Sequence, residues 1–195
     1  MKSLTLIALL LVSCPVASAD RLRLGDAMPA LSDHVAWQVG YPIRKWEPGQ
    51  AYLLVFTTSN PNWRACVRIM PEIGRLSKKF EDKNMTIIAI DVSGDTTTEE
   101  SLKRAWGETL PPFVASNRSY AQEMARLGVI TCTPYAALVY DGKYYWSAFL
   151  RFEDDEIVED VYLERLADFL THFLEEKVGR NDLRNHERMR AVWTR

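Results

Sequence analysis

Two short apolar runs and an amphipathic stripe between them dominate the first half of the chain. Residues 51–56 (AYLLVF) and 86–92 (TIIAIDV) are nearly continuous apolar segments, a pattern typical of strands buried on both faces. Between them, apolar residues recur every three or four positions, which predicts a helix over 63–80 with Asn62 as its N-cap. Pro71 lies inside this helix, where it removes one backbone donor. The predicted buried stripe consists of Cys66, Ile69, Met70, Ile73, Leu76 and Phe80.

The second half predicts three further helices and three extended segments. The helices are expected at residues 98–107, 119–127 and 158–174, and the extended segments at 113–115, 135–140 and 144–150. Asp141-Gly142 joins the last two strands and is the strongest short hairpin signal in the sequence. Residues 22–50 are punctuated by prolines and predict a short strand and turns.

This order of elements predicts the fold class. Buried strands that alternate with helices favour a sheet with parallel strands covered on both faces, and the Asp141-Gly142 hairpin adds an antiparallel edge. We therefore expect an α/β fold with a central mixed β-sheet flanked by helices on both faces. No internal repeat of solenoid length interrupts this order.

The N-terminus predicts export. Lys2, an apolar run over 4–12 and the small residues Ala17-Ser18-Ala19 together resemble a secretory signal peptide, and the apolar run is too short to span a bilayer. The mature chain would then begin at Asp20 in the periplasm or outside the cell, where disulfides persist. In an alternative interpretation, residues 11–14 (LVSC) resemble a lipoprotein cleavage box, and Cys14 carries a lipid anchor. Further along the chain, no segment predicts a transmembrane helix.

Composition narrows the function classes. The chain has 195 residues, of which 47% are hydrophobic and 26% charged, enough for one compact domain and too apolar for a disordered chain. With 24 basic and 26 acidic residues there is no positive surplus to meet phosphates, so no nucleic-acid partner is expected. Only three cysteines and three histidines are present, so neither a metal site nor another cofactor is predicted.

The sequence predicts a division of the chain into three parts. Residues 1–19 form the predicted signal peptide, residues 20–176 the folded domain and residues 177–195 an arginine-bearing basic tail. With Cys14 removed or lipidated, the folded part has two cysteines, Cys66 and Cys132, and any thiol chemistry depends on them.

Five segments in order resemble the thioredoxin fold, and within it the exported TlpA-like or redoxin branch of thiol-disulfide proteins. They are residues 24–31 (LGDAMPAL), residues 37–56, the spacing from Cys66 to Pro71, residues 128–134 (GVITCTP) and residues 141–143 (DGK). The resemblance implies a thioredoxin-like domain whose partners are exported proteins or peptides with thiols or disulfides. It also implies that Pro134 is the cis-proline of this fold, with the backbone of Thr133 available to pair with an extended peptide.

The sequence departs from this family at the active-site motif. Where relatives have Cys-x-x-Cys at the start of the helix, this chain has Trp63-Arg64-Ala65-Cys66. Trp63 takes the position of the attacking cysteine, and Cys66 takes the deeper, resolving position, where burial disfavours the thiolate. Arg64 offsets this only if its guanidinium folds back over the sulfur. Disulfide exchange needs an attacking and a leaving thiol in one site, so a normal dithiol cycle is not expected.

Cys132 leaves three interpretations open, because it lies two residues before Pro134 on the predicted peptide-binding loop. It could form a disulfide with Cys66, which requires Cα atoms within about 7 Å. It could be a single reactive thiol, or both cysteines could be small apolar fillers.

These interpretations give three functional hypotheses. The first is an exported thioredoxin-like protein with a degenerate dithiol site that binds protein or peptide partners, with at most single-thiol redox activity. The alternative is an active thiol-disulfide oxidoreductase that uses Cys66 with Cys132 or with an external thiol. The third is a structural envelope protein attached through Cys14.

Overall fold

A six-stranded sheet forms the centre of the molecule. The computed structural model describes residues 21–31, 36–93, 99–107, 110–111, 114–116, 118–150 and 159–179. The strands are β1 (Ala36–Val39), β2 (Ala51–Thr57), β3 (Met85–Asp91), β4 (Val114–Ser116), β5 (Tyr135–Tyr140) and β6 (Lys143–Phe149). The helices are α1 (Arg64–Lys79), α2 (Glu99–Trp106), α3 (Arg118–Arg126) and α4 (Glu159–Gly179).

The strand order is β1-β4-β3-β2-β5-β6. Strands β2, β3 and β4 run parallel, whereas β1, β5 and β6 pair antiparallel with their neighbours. Thr57, Asp91 and Ser116 are register partners, so three polar residues lie side by side where the three parallel strands end. The mixed sheet predicted from the sequence is confirmed.

Separate apolar clusters cover the two faces of the sheet. Alternate side chains of β2, such as Leu53 and Val55, pack with Ile69 and Ile73 of α1, together with buried residues of α2 and α4. The remaining β2 side chains, such as Phe56, pack against α3 and the N-terminal segment. Every residue of β2 is buried, because this central strand has a helix layer on each side. Helices on both faces are therefore confirmed.

The β5–β6 hairpin turns through the predicted Asp141-Gly142 pair. Both residues have positive φ angles, 50° and 69°, as a two-residue hairpin turn requires. A Cβ on Gly142 would lie 3.3 Å from Trp46, so this position also needs glycine for close approach. The Trp46 indole donates to the carbonyl oxygen of Met28 at 3.0 Å, which joins residues 40–50 to the N-terminal segment.

Some predictions fall outside the described residues, and one boundary differs. The predicted signal peptide 1–19, Cys14 and residues 180–195 of the predicted tail are not among the described residues. Helix α4 continues to Gly179 and so passes the predicted helix end at residue 174, because the apolar stripe fades before the backbone leaves the helix. Within the described residues, no helix is both long and apolar enough to cross a membrane.

Candidate functional site

The loop after β2 brings Trp63 to the start of α1. The hydroxyl of Thr58 accepts the amide of Asn60 at 3.2 Å, and the Asn60 side chain accepts the amide of Asn62 at 3.0 Å. The carbonyl of Asn60 then accepts the amide of Trp63 at 3.0 Å. These short-range bonds form consecutive turns, so the loop has a defined shape and places Trp63 where the helix begins.

Trp63, and not the predicted Asn62, is the N-cap of α1. No side chain caps the first turn, and the helix begins with the bond from the amide of Val67 to the carbonyl of Trp63, 3.1 Å long. The prediction of Asn62 as N-cap is wrong. The Asn62 amide belongs to an Asx turn with the Asn60 side chain, so the loop includes Asn62 and the helix begins one residue later than predicted. The Trp63 side chain is 53% exposed, so a large aromatic ring lies in solvent at the start of the helix.

Cys66, in the first turn of the same helix, is buried. Its exposed fraction is 0%, and its spacing to Ile69 and Met70 puts it on the face of α1 that packs toward the sheet. The burial predicted for Cys66 is confirmed. Arg64 and Ala65 are exposed, and Arg64 has no hydrogen bond or ion pair within the described part of the chain.

Cys132 lies on the loop that leads into β5. Tyr135 pairs with Phe56 near the end of β2, so this loop and the start of α1 are at the same end of the sheet. Cys132 is exposed, and its sulfur is 3.5 Å from the Thr131 hydroxyl. The Thr133–Pro134 peptide bond is cis, and the Pro134 carbonyl accepts the amide of Leu150 at 2.9 Å, which ties the loop to the end of β6.

The two cysteines are not joined. Both are free thiols, one buried and one exposed. The Cys66–Cys132 disulfide, one of the three interpretations of the sequence, is therefore absent from the structure.

A buried carboxylate that the sequence analysis did not single out anchors the site. Asp91 ends β3, is 1% exposed and accepts two backbone amides, from Ser59 at 3.1 Å and from Ser93 at 2.8 Å. The Thr58 and Ser93 hydroxyls also hydrogen-bond to each other. Two N–H donors compensate part of the cost of burying a carboxylate, and in return the Trp63 loop is tied to the sheet. The sequence signal for this role is that Asp91 is the single acidic residue of the apolar run 86–92.

Histidines and acidic residues do not add a metal site to these groups within the described residues. Within the described segments, no group of three or more histidine, cysteine or acidic residues could hold a metal ion. His172 is on α4, where its imidazole lies 3.1 Å from the carboxylate of Glu176. Among the described residues, the carboxyl end of the parallel strands therefore has an exposed indole, an exposed guanidinium and an exposed thiol, together with a buried thiol and a buried carboxylate.

Comparisons with known proteins support the fold. No protein-family profile matches the chain, and no curated protein is similar to it in sequence. An uncharacterized conserved protein from Geobacillus kaustophilus is similar in structure with a TM-score of 0.60 and 18% identity, over 83% of this chain and 87% of that one.

Two further solved structures are similar. An uncharacterized thioredoxin-like protein from Porphyromonas gingivalis has a TM-score of 0.52 and 16% identity, over 82% of this chain and 96% of that one. A cysteine-to-serine variant of peroxiredoxin 6 from Arenicola marina has a TM-score of 0.55 and 12% identity, over 77% and 74% of the two chains. The fold of this chain is thioredoxin-like.

Proposed function

We propose that this thioredoxin-like chain binds extended segments of exported proteins at the surface formed by Trp63 and residues 131–134, and that it does not catalyse dithiol–disulfide exchange. One observation carries the proposal: an exposed indole occupies the start of α1, while the single cysteine of that helix is fully buried. An exposed aromatic ring beside an irregular loop is a typical anchor for a peptide chain.

Redox chemistry at this surface is limited to one thiol. The thiolate of Cys132 can attack a partner's disulfide, forming a mixed disulfide and releasing the partner's other sulfur as a thiolate. Completing a cycle needs a second thiolate to attack that mixed disulfide, and Cys66, at 0% exposure, is not accessible for this step. The proposed chemistry is therefore stoichiometric capture, and turnover requires an external thiol.

Reduction of insulin by dithiothreitol tests the absence of dithiol exchange. The wild-type chain should not accelerate the reaction, because Cys132 adds only one thiol to the large excess of dithiothreitol, which itself attacks the insulin disulfides, and Cys66→Ser should change nothing. Trp63→Cys restores the Cys-x-x-Cys spacing on a helix of the right geometry, so this variant should raise the rate at least about tenfold, and adding Cys66→Ser should abolish the gain. Wild-type turnover that Cys66→Ser removes would establish the alternative, an active oxidoreductase.

An array of extended peptides tests the binding. Peptides that the wild-type chain retains should bind Trp63→Ala at least about tenfold more weakly, because a central aromatic anchor typically contributes this much. Tyr41→Ala is the matched control: Tyr41 is 83% exposed and lies near the amino ends of the strands, so its removal should leave binding unchanged. Equal binding by the Trp63→Ala and wild-type chains would refute the proposed surface.

Export belongs to the same proposal and is supported by the sequence of residues 1–19. The intact mass of the protein from its native compartment should correspond to a chain that begins at Asp20. A mass that includes a lipid on Cys14 would instead indicate an anchored protein, and an unprocessed chain would contradict export.

A further inference from the structure

A concave surface lies at the other end of the sheet from Trp63. It is a pocket of about 430 Å³, large enough for a small organic molecule, where β2 and β3 begin. Tyr52 and Thr86 of these strands form its floor, and Pro42 and Ile43 form an apolar wall. Because α1 begins after β2 ends, this pocket is separate from the Trp63 surface and independent of the function proposed above.

The loop that forms the pocket wall is held in place without a ligand. The Trp46 ring packs edge-on against Tyr52, with centroids 4.9 Å apart, and the Tyr52 hydroxyl accepts the amide of Glu47 at 3.1 Å. The amide of Gln50 bonds the carbonyl of Glu47 at 3.2 Å, and the amide of Gly49 bonds the Asp141 side chain. A loop fixed at several points loses little entropy when a ligand binds.

The charges around the pocket are unbalanced toward the positive. Arg44, Lys45 and Glu47 line it, which gives two cations and one anion. Lys45 and Glu47 form an exposed pair with 3.5 Å between nitrogen and oxygen. Arg44 has no ion pair or hydrogen bond within the described residues, so its planar set of N–H donors is available.

The floor also offers hydrogen-bond donors. The Tyr52 hydroxyl already accepts a backbone amide, so its own proton is available to donate. Burial, the largest effect, raises the pKa of Tyr52, so the hydroxyl keeps that proton at neutral pH. The Thr86 hydroxyl accepts from the Gln50 side chain at 3.1 Å and likewise keeps its proton for a ligand.

We propose that this pocket binds a small organic molecule through an oxyanion group, a carboxylate or a phosphate. The oxyanion pairs with the Arg44 guanidinium and accepts from the hydroxyls of Tyr52 and Thr86, while the apolar part of the ligand lies against Pro42 and Ile43. A guanidinium binds either oxyanion with two parallel hydrogen bonds, so the same donors suit both.

Titration of the full chain by two-dimensional NMR tests this site. The probes are benzoate, phenyl phosphate and uncharged benzyl alcohol. Benzoate or phenyl phosphate should cause saturable shifts of the Gln50 side-chain amide and of the backbone amides of Tyr52 and Thr86, and the tighter of the two identifies the group. Benzyl alcohol should bind at least about tenfold more weakly, because it lacks the charge that pairs with Arg44.

Two variants distinguish binding in this pocket from nonspecific attraction of anions to surface arginines. Arg44→Gln should weaken binding about tenfold or more, and Arg118→Gln should leave it unchanged, because Arg118 is an exposed arginine at the start of α3, at the other end of the sheet. Both changes remove one exposed charge, so the fold is retained. An absence of saturable shifts with both organic anions, equal binding of benzyl alcohol, or equal losses in the two variants would overturn the proposal.

Discussion

At the residue scale, the exposed Trp63 and the buried Cys66 decide what chemistry the start of α1 can carry out. The three- and four-residue spacing of apolar positions predicted that Cys66 faces the core, and the structure confirms this with a fully buried thiol. The role of Asp91 was not predictable from spacing, because its two amide partners, Ser59 and Ser93, lie on different loops. Those loops meet only once β2 and β3 are paired in register.

The different exposure of the two thiols predicts a large difference in reactivity. Iodoacetamide added to the native full chain should alkylate Cys132 within minutes and leave Cys66 unmodified, because a reagent reaches a buried thiol only when the helix opens. Peptide mapping by mass spectrometry distinguishes the two sites. In urea, Cys66 should be modified as well.

Single serine variants provide the control for this measurement. Cys132→Ser should remove the fast reaction, and Cys66→Ser should leave its rate unchanged. Fast native alkylation of Cys66 would contradict the burial on which the proposed lack of turnover depends.

At the element scale, the sequence predicted the bounds of the described strands and helices to within one residue at each end, except for β1 and the end of α4. Strand β5 has the predicted bounds, and β2, β3 and α1 differ from them by one residue at each end at most. These elements are buried, so their hydrophobic pattern is strong. The edge strand β1 was predicted only as a short strand within 22–50, since four residues against a single neighbour leave little pattern.

The end of α4 was missed because its last turns are stabilised by a cation–π contact rather than by an apolar stripe. The Lys177 ammonium lies 4.5 Å from the ring centroid of Tyr145, 5.8 Å from that of Phe173 and 6.0 Å from that of Tyr140. The three rings pack edge-to-face, with centroids 5.7 to 5.9 Å apart. The hairpin and α4 are thereby joined through one charged side chain.

Lys177→Met should lower the free energy of unfolding by about 1 kcal/mol, because it keeps the aliphatic stem and removes the charge over the rings. Urea unfolding followed by circular dichroism measures the change. Lys79→Met is the matched control: Lys79 is an exposed lysine in the last turn of α1, and its replacement should cost only a few tenths of a kcal/mol. An equal loss in both variants would show that the ring contact contributes nothing.

At the scale of the whole molecule, the two ends of the sheet carry different chemistry on one scaffold. The carboxyl end carries the exposed Cys132 thiol and the exposed indole, whose loop is held by the buried Asp91, and the amino end carries the cationic pocket with Arg44. The sequence predicted the first end through family resemblance. It could not predict the second, because Arg44 and Thr86 are far apart in the chain and meet only when the 42–47 loop folds over the strand ends.

The burial of several tyrosines predicts that the folded chain loses stability at alkaline pH. Burial, the largest effect in each case, raises the pKa values of five tyrosines: Tyr52, Tyr120, Tyr140, Tyr144 and Tyr145. In the unfolded chain these phenols ionise near pH 10, whereas in the folded chain they keep their protons to higher pH. Above pH 10 the unfolded state therefore binds fewer protons, and stability falls as pH rises.

Tyr120 contributes most clearly, because it is fully buried and the charge of Glu123 raises its pKa further. Tyr120→Phe should cost about 1 kcal/mol at pH 8, since it removes the hydrogen bond to the Pro29 carbonyl at 3.2 Å. Between pH 10 and 11.5, however, its stability should fall less steeply than that of the wild-type chain, by up to about 1.4 kcal/mol per pH unit. Urea midpoints across this range measure the slope, and Tyr41→Phe, at an exposed position, should leave the slope unchanged. Parallel curves for wild type and Tyr120→Phe would mean that Tyr120 ionises as readily in the folded chain as in the unfolded one, and that the core around it is open to water.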